Sequence, residues 1–159
     1  MPERNFIVSK KPLWVLALSH PFELLIAFLC VVSGIPLMLG FHLSNSTAEV
    51  LPFTLQILWG VLLFIGGALS ILGLVRFHMS PEARRQILAL RIEQSGWIMV
   101  ATALFVFGFI LFTLNASGAG FVLLTYTAFI AACVLRYLTL RQAVRAYTKV
   151  IHNYVNNAD

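Results

Sequence analysis

Leu58–Val75 reads LWGVLLFIGGALSILGLV, an unbroken apolar run without a single charged residue. A helix needs ~20 apolar residues to cross the hydrocarbon of a bilayer, and the run from 55 to 75 meets that length. A soluble domain would have to cover such a helix on every side. The rest of the chain offers no such cover. Of its 159 residues 60% are hydrophobic and 11% charged, with a mean hydropathy of +0.90. Soluble domains carry about 25% charged residues. Lipid is therefore the expected solvent for most of the chain.

Three further runs have the same character, near 22–41, 97–115 and 121–140. Each is continuously apolar, whereas strands of a membrane barrel alternate and are short. The expected fold is all-α: an integral membrane four-helix bundle in one domain, 1–159. Lys10 and Lys11 precede the first run as they would in a signal peptide. The run is longer than a signal peptide's, and no small-residue cleavage pattern follows it, so an uncleaved span is expected.

Charge sets the orientation. All eleven Lys and Arg fall before the first run, between the second and third, or from Arg136 onward. The other two connections hold none. The positive-inside rule then places both termini in the cytoplasm, as four crossings require. The net charge of +5 becomes a basic face beside the membrane, attracted to anionic lipid. Nucleic acid is not expected as a partner, because the bases follow the membrane edge and carry no recognition motif.

Before the first run, 12–18 (PLWVLAL) is apolar but too short to span, and either an interfacial segment anchored by Trp14 or a frayed terminus is expected. Ser46 and Glu49 have capping-box spacing, and Asn45-Ser46-Thr47 is an incidental glycosylation tripeptide. Ser80, Pro81 and Glu82 signal a helix start. An amphipathic cytoplasmic helix over 81–96, with Ile87, Leu88 and Ile92 on its stripe, is expected to run into span three. A basic helix over 141–155 prolongs span four, with Leu140, Val144, Tyr147 and Ile151 along its apolar side. NASGAG (115–120) reads as a tight turn.

Two helices show small residues at packing intervals. Gly66, Ser70 and Gly73 share a face of span two, and Ser33, Pro36 and Gly40 are the matching set in span one. Such faces let helices approach closely in lipid, within one chain or between copies in a homo-oligomer. Pro36 also removes a backbone donor inside its helix.

Glu23 stands at the entrance to span one, behind His20 and Pro21. A carboxylate in a first turn suits the helix dipole, but His20 is a weak cap. Arg136 is the deepest cation, at a similar depth in span four, and an unpaired charge there is costly. A structural Glu23–Arg136 ion pair is expected, extended by Arg76, Arg91 or Glu93. The competing reading, an ion or proton relay through Glu23, lacks a deeper acid to hand on to. No catalytic, cofactor-binding or metal-ligating set emerges: His20, His42, His78 and His152 are scattered, and no nucleophile motif is present. Cys30 and Cys133 lie at similar depths in their spans and would meet if spans one and four are neighbours.

The segments HPFELLIAF, VSGIPLMLG and AEVLPFTLQILWGVLLFIGGALSILGLV, with ACVLRYLTLR near the end, resemble small four-span membrane proteins of bacteriophages, of the actinobacteriophage type and often labelled holin-like. The residues carrying the likeness are His20, Pro21, Glu23, Ser33, Gly34, Glu49 to Pro52, Trp59, Gly60, Gly66 and Gly67. The resemblance implies a non-enzymatic protein of the host inner membrane that self-associates and permeabilises it for endolysin release. A non-lytic accessory membrane protein, serving partner binding, superinfection exclusion or assembly, is the alternative expectation, followed by a small transporter or channel subunit.

Overall fold

The computed structural model of the chain describes residues 20–41, 52–80, 82–114 and 120–156. The segment 12–18, the Ser46–Glu49 box, the glycosylation tripeptide, Pro81 and most of the 115–120 turn lie outside them, as does the side chain of Ile151. Four helices follow in order: α1 Pro21–Met38, α2 Phe53–Met79, α3 Ala83–Leu114 and α4 Gly120–Asn156. All four are long and apolar enough to cross a membrane, the architecture of a multi-pass membrane protein. Their outward faces are apolar as well. Phe22, Phe28, Phe105, Phe109, Leu124 and Leu135 are all more than half exposed, a surface suited to lipid and not to water.

Each helix boundary has a local cause. Pro21 occupies the first turn of α1, where its missing N–H costs nothing. At the other end Gly40 adopts φ +75°, its N–H donates to the Leu37 carbonyl, and the Phe41 N–H donates to the Pro36 carbonyl. That paired closure is a Schellman ending. It stops α1 at Met38, short of the expected 41. Gly40 thus terminates the helix instead of packing within it. Ser80 is the C-cap of α2, with φ −94° and ψ 119°, the extended geometry that a residue before proline prefers. The Gln86 amide nitrogen Nε2 donates back to the Ser80 carbonyl at 2.9 Å, tying the start of α3 to the end of α2. The segments expected at 81–96 and 97–115 are a single helix, as are those at 121–140 and 141–155. At 1.5 Å per residue α3 and α4 reach roughly 48 and 55 Å, well beyond a ~30 Å hydrocarbon layer.

The helices pack in chain order, α1 on α2, α2 on α3 and α3 on α4. Two glycine rows on α2 make the first two contacts. Gly60 and Gly67 face α1: a Cβ at 60 would lie 2.9 Å from the Gly34 carbonyl oxygen, and one at 67 would lie 2.6 Å from that of Ala27. Gly66, Ser70 and Gly73 face α3, where a Cβ on Gly96 would meet the Gly66 oxygen at 2.6 Å. The set Gly66-Ser70-Gly73 therefore does not mate with span one. On α1 the close approach is made by buried Gly34, while Ser33 is exposed and Pro36 half-buried. The Ser70 hydroxyl donates to the Gly66 carbonyl of its own helix at 2.9 Å, so a polar atom enters this seam with its bonding met.

Among the described residues no glycine brings α4 equally close. At Gly108 of α3 a Cβ would stand 3.5 Å from Tyr126, ordinary contact. Side-chain contacts attach α4 instead. Phe107 of α3, stacked on Trp59 of α2 at 3.7 Å and 8°, leans on Tyr126 of α4 at 5.5 Å. Toward the other end Phe77 of α2 meets Tyr147 of α4 edge-on at 6.2 Å. Helices α2 and α3 are the most covered and α4 the least.

Substitution should separate the two kinds of contact. Gly34→Ala and Gly73→Ala, which drive a methyl into backbone, are expected to cost about 1–3 kcal/mol each. Gly108→Ala should be neutral or slightly stabilising. Reversible unfolding in mixed detergent micelles measures all three.

A buried carboxylate–arginine cluster as candidate functional site

The buried stripe of α3 runs Leu90, Glu93, Trp97, Val100, Ala103, a spacing of three and four that puts one carboxylate in the middle of an apolar seam. Glu93 is 1% exposed. Its burial is imposed from α2: a Cβ at Gly73 would lie 2.5 Å from the Glu93 nitrogen and 2.6 Å from its Cβ. The backbone of α2 therefore covers this residue directly, leaving no room for water on that side.

An ionised group so placed must be paired and hydrogen-bonded. Arg136 of α4 supplies both. Its Nη2 and Nε donate to Glu93 Oε1 at 2.8 and 3.1 Å. Trp97 Nε1, one turn along α3, contributes a longer contact to the same oxygen at 3.4 Å. The remaining arm, Arg136 Nη1, lies 3.2 Å from Glu23 Oε1 of α1. His20 Nδ1 in turn lies 3.5 Å from that oxygen, and no side-chain bond caps the α1 start. The planar guanidinium is suited to this task, because its donors point in fixed and divergent directions.

The structure thus brings Glu23, Glu93 and Arg136 together. Arg76 and Arg91 are exposed and make no ion pair with the cluster among the described residues. Glu93, which the sequence suggests only as an extension, is its centre. The stripe expected from Ile87, Leu88 and Ile92 is displaced: Leu88 is 55% exposed, while Ala89 and Leu90 are buried. Taking Trp97 as the start of span three leaves Glu93 outside the apolar run. The interval from Leu90 through Glu93 and Trp97 to Val100 was the signal that could have found it.

Two carboxylates share one guanidinium, with His20 able to balance the second when protonated. Burial falls from Glu93 through Arg136 (16% exposed) and Glu23 (27%) to His20 (35%). A chain of ionisable groups of this kind invites a proton-relay reading. Arginine keeps its proton at any physiological pH, so a proton cannot pass from Glu23 to Glu93 through it. The arrangement ties α1, α3 and α4 together.

Cys30 and Cys133 are both buried as free thiols and belong to one core cluster with Trp97 and Leu140. Among the described residues no group of three or more His, Cys, Asp or Glu side chains could hold a metal ion. Compared with protein-family models, curated proteins and solved structures, the chain shows no match.

The unequal burial of the two carboxylates predicts unequal costs. Arg136→Met strands Glu93 and should destabilise by about 3–5 kcal/mol. Glu23→Gln, at a partly exposed pair, should cost no more than about 1 kcal/mol. A double-mutant cycle on these positions, read by reversible unfolding in bicelles, checks both values.

Proposed function

We propose that this chain is a holin-like protein of a bacteriophage, which accumulates in the host inner membrane, associates with further copies and permeabilises the bilayer for an endolysin. Both termini and the arginine-rich helix ends lie on the cytoplasmic side in this reading, against anionic lipid. Supporting it are the four apolar helices, the confinement of Lys and Arg to alternate connections and the likeness to small four-span phage proteins.

One observation carries the mechanism. Helices α1, α2 and α3 are knitted by backbone-close glycine seams, whereas no described glycine brings α4 as close to its neighbours. Such a bundle can release its fourth helix without unfolding the other three. The small faces Gly60/Gly67 and Gly66/Ser70/Gly73 are occupied within the chain, so association between copies uses the outward apolar faces or those uncovered when α4 moves. Arg136, bridging Glu93 and Glu23, is the clasp that such a movement must open.

Induction of the gene in a bacterial host without an endolysin should collapse the membrane potential abruptly after a lag, read with a potential-sensitive dye. Arg136→Met should shorten the lag at equal membrane content. A potential that stays intact while the wild-type protein accumulates in the inner membrane removes the lytic reading and favours an accessory role.

A further inference from the structure

Away from the ion cluster, α1 and α4 part to form a cleft floored by α2 and α3. It runs along α1 from Ile26 to Leu37, with Trp59 and Leu104 in its floor and Phe129 on the α4 side, and encloses about 340 Å³. Ser33, Thr125 and Tyr126 are the hydroxyl-bearing residues of a lining that is otherwise mainly apolar, and no lining residue is charged. Leu29 and Phe129 at its lips are 48% and 39% exposed, so the cleft opens sideways toward lipid.

We propose that this cleft is a binding site for one acyl chain of a membrane phospholipid. The cleft covers about 16 Å of α1 and is open along one side, a slot that an extended hydrocarbon chain can enter from the bilayer. A cleft walled mainly by Leu, Ile, Phe and Trp is also a poor site for water. Charge decides between the remaining occupants. A free fatty acid would bring an ionised carboxylate to a site that has no Lys or Arg, and such a charge stays costly without a partner. A phospholipid chain begins instead at a neutral ester. The Trp59 indole N–H is itself buried beneath the floor, so the ring and not its N–H lines the cleft. Trp59 lies about 9 Å along α2 from Phe53, on the half of the bundle remote from Arg136. The cleft ends there at Leu37, one residue from the end of α1 at Met38, so the chain would enter from the leaflet opposite the arginine-rich ends, with its ester near Trp59 and its tail toward Cys30. This site does not depend on the lytic reading.

The full-length protein in bilayers containing a phospholipid with a diazirine in its acyl chain provides the test. Photolysis followed by peptide mass spectrometry should place adducts on Leu29, Ser33 and Phe129 in excess of those on Phe28 and Leu135, which are more exposed but lie outside the cleft. Ser33→Phe, and the milder Ser33→Leu should the first fail to fold, are expected to abolish the cleft adducts and leave those on Phe28 and Leu135. Labelling that simply follows exposure, or that neither variant alters, overturns the proposal. So does preferential labelling by a diazirine fatty acid, or cross-linking of cleft residues to a second copy.

Discussion

Lipid tails are as apolar as leucine, so no water-driven force presses one membrane helix against another. Cohesion must come from close contact, and close contact needs backbones without side chains between them. The two glycine rows of α2 meet that constraint. Because they point in directions about 100° apart, one helix can hold a neighbour on each side. Gly60 and Gly67 take α1; Gly66, Ser70 and Gly73 take α3. The central position of α2, and the covered seam in which Glu93 sits, both follow.

That seam converts a packing device into an electrostatic one. Gly73 brings the α2 backbone onto Glu93 and removes the carboxylate from solvent, which makes a partner obligatory. Arg136 satisfies it from α4 and has a donor left over for Glu23 on α1. One side chain thereby links α1, α3 and α4. Buried ion pairs contribute less to stability than to specificity. Here the pairing adds a directional contact to the aromatic and core packing that places α4.

The bundle is consequently uneven. One part is rigid and glycine-knit; the other is a long helix resting on aromatic rings and an arginine. The cleft between α1 and α4 is the geometric counterpart of that unevenness, since two helices joined at one end by an ion cluster and not packed along their length leave space between them. Lateral access from the bilayer to the inside of the bundle is what such a gap makes available.

Much of this was written in the chain itself. Four apolar runs of spanning length determined four helices, because a backbone in lipid must satisfy its own hydrogen bonds. The small residues of α2 and the pairing of Glu23 with Arg136 were also legible, from spacing and depth. Which small face met which helix was not, since a residue interval gives a direction around its own axis and says nothing of what lies there. Nor was the rank of Glu93. By composition it belongs to a polar, arginine-rich stretch, and only the approach of Gly73 from another helix makes it the most buried charged group among the described residues. The sequence alone determined the solvent and the number of helices through local energetics; the tertiary structure decided the neighbours, because contact between distant residues depends on how whole helices pack.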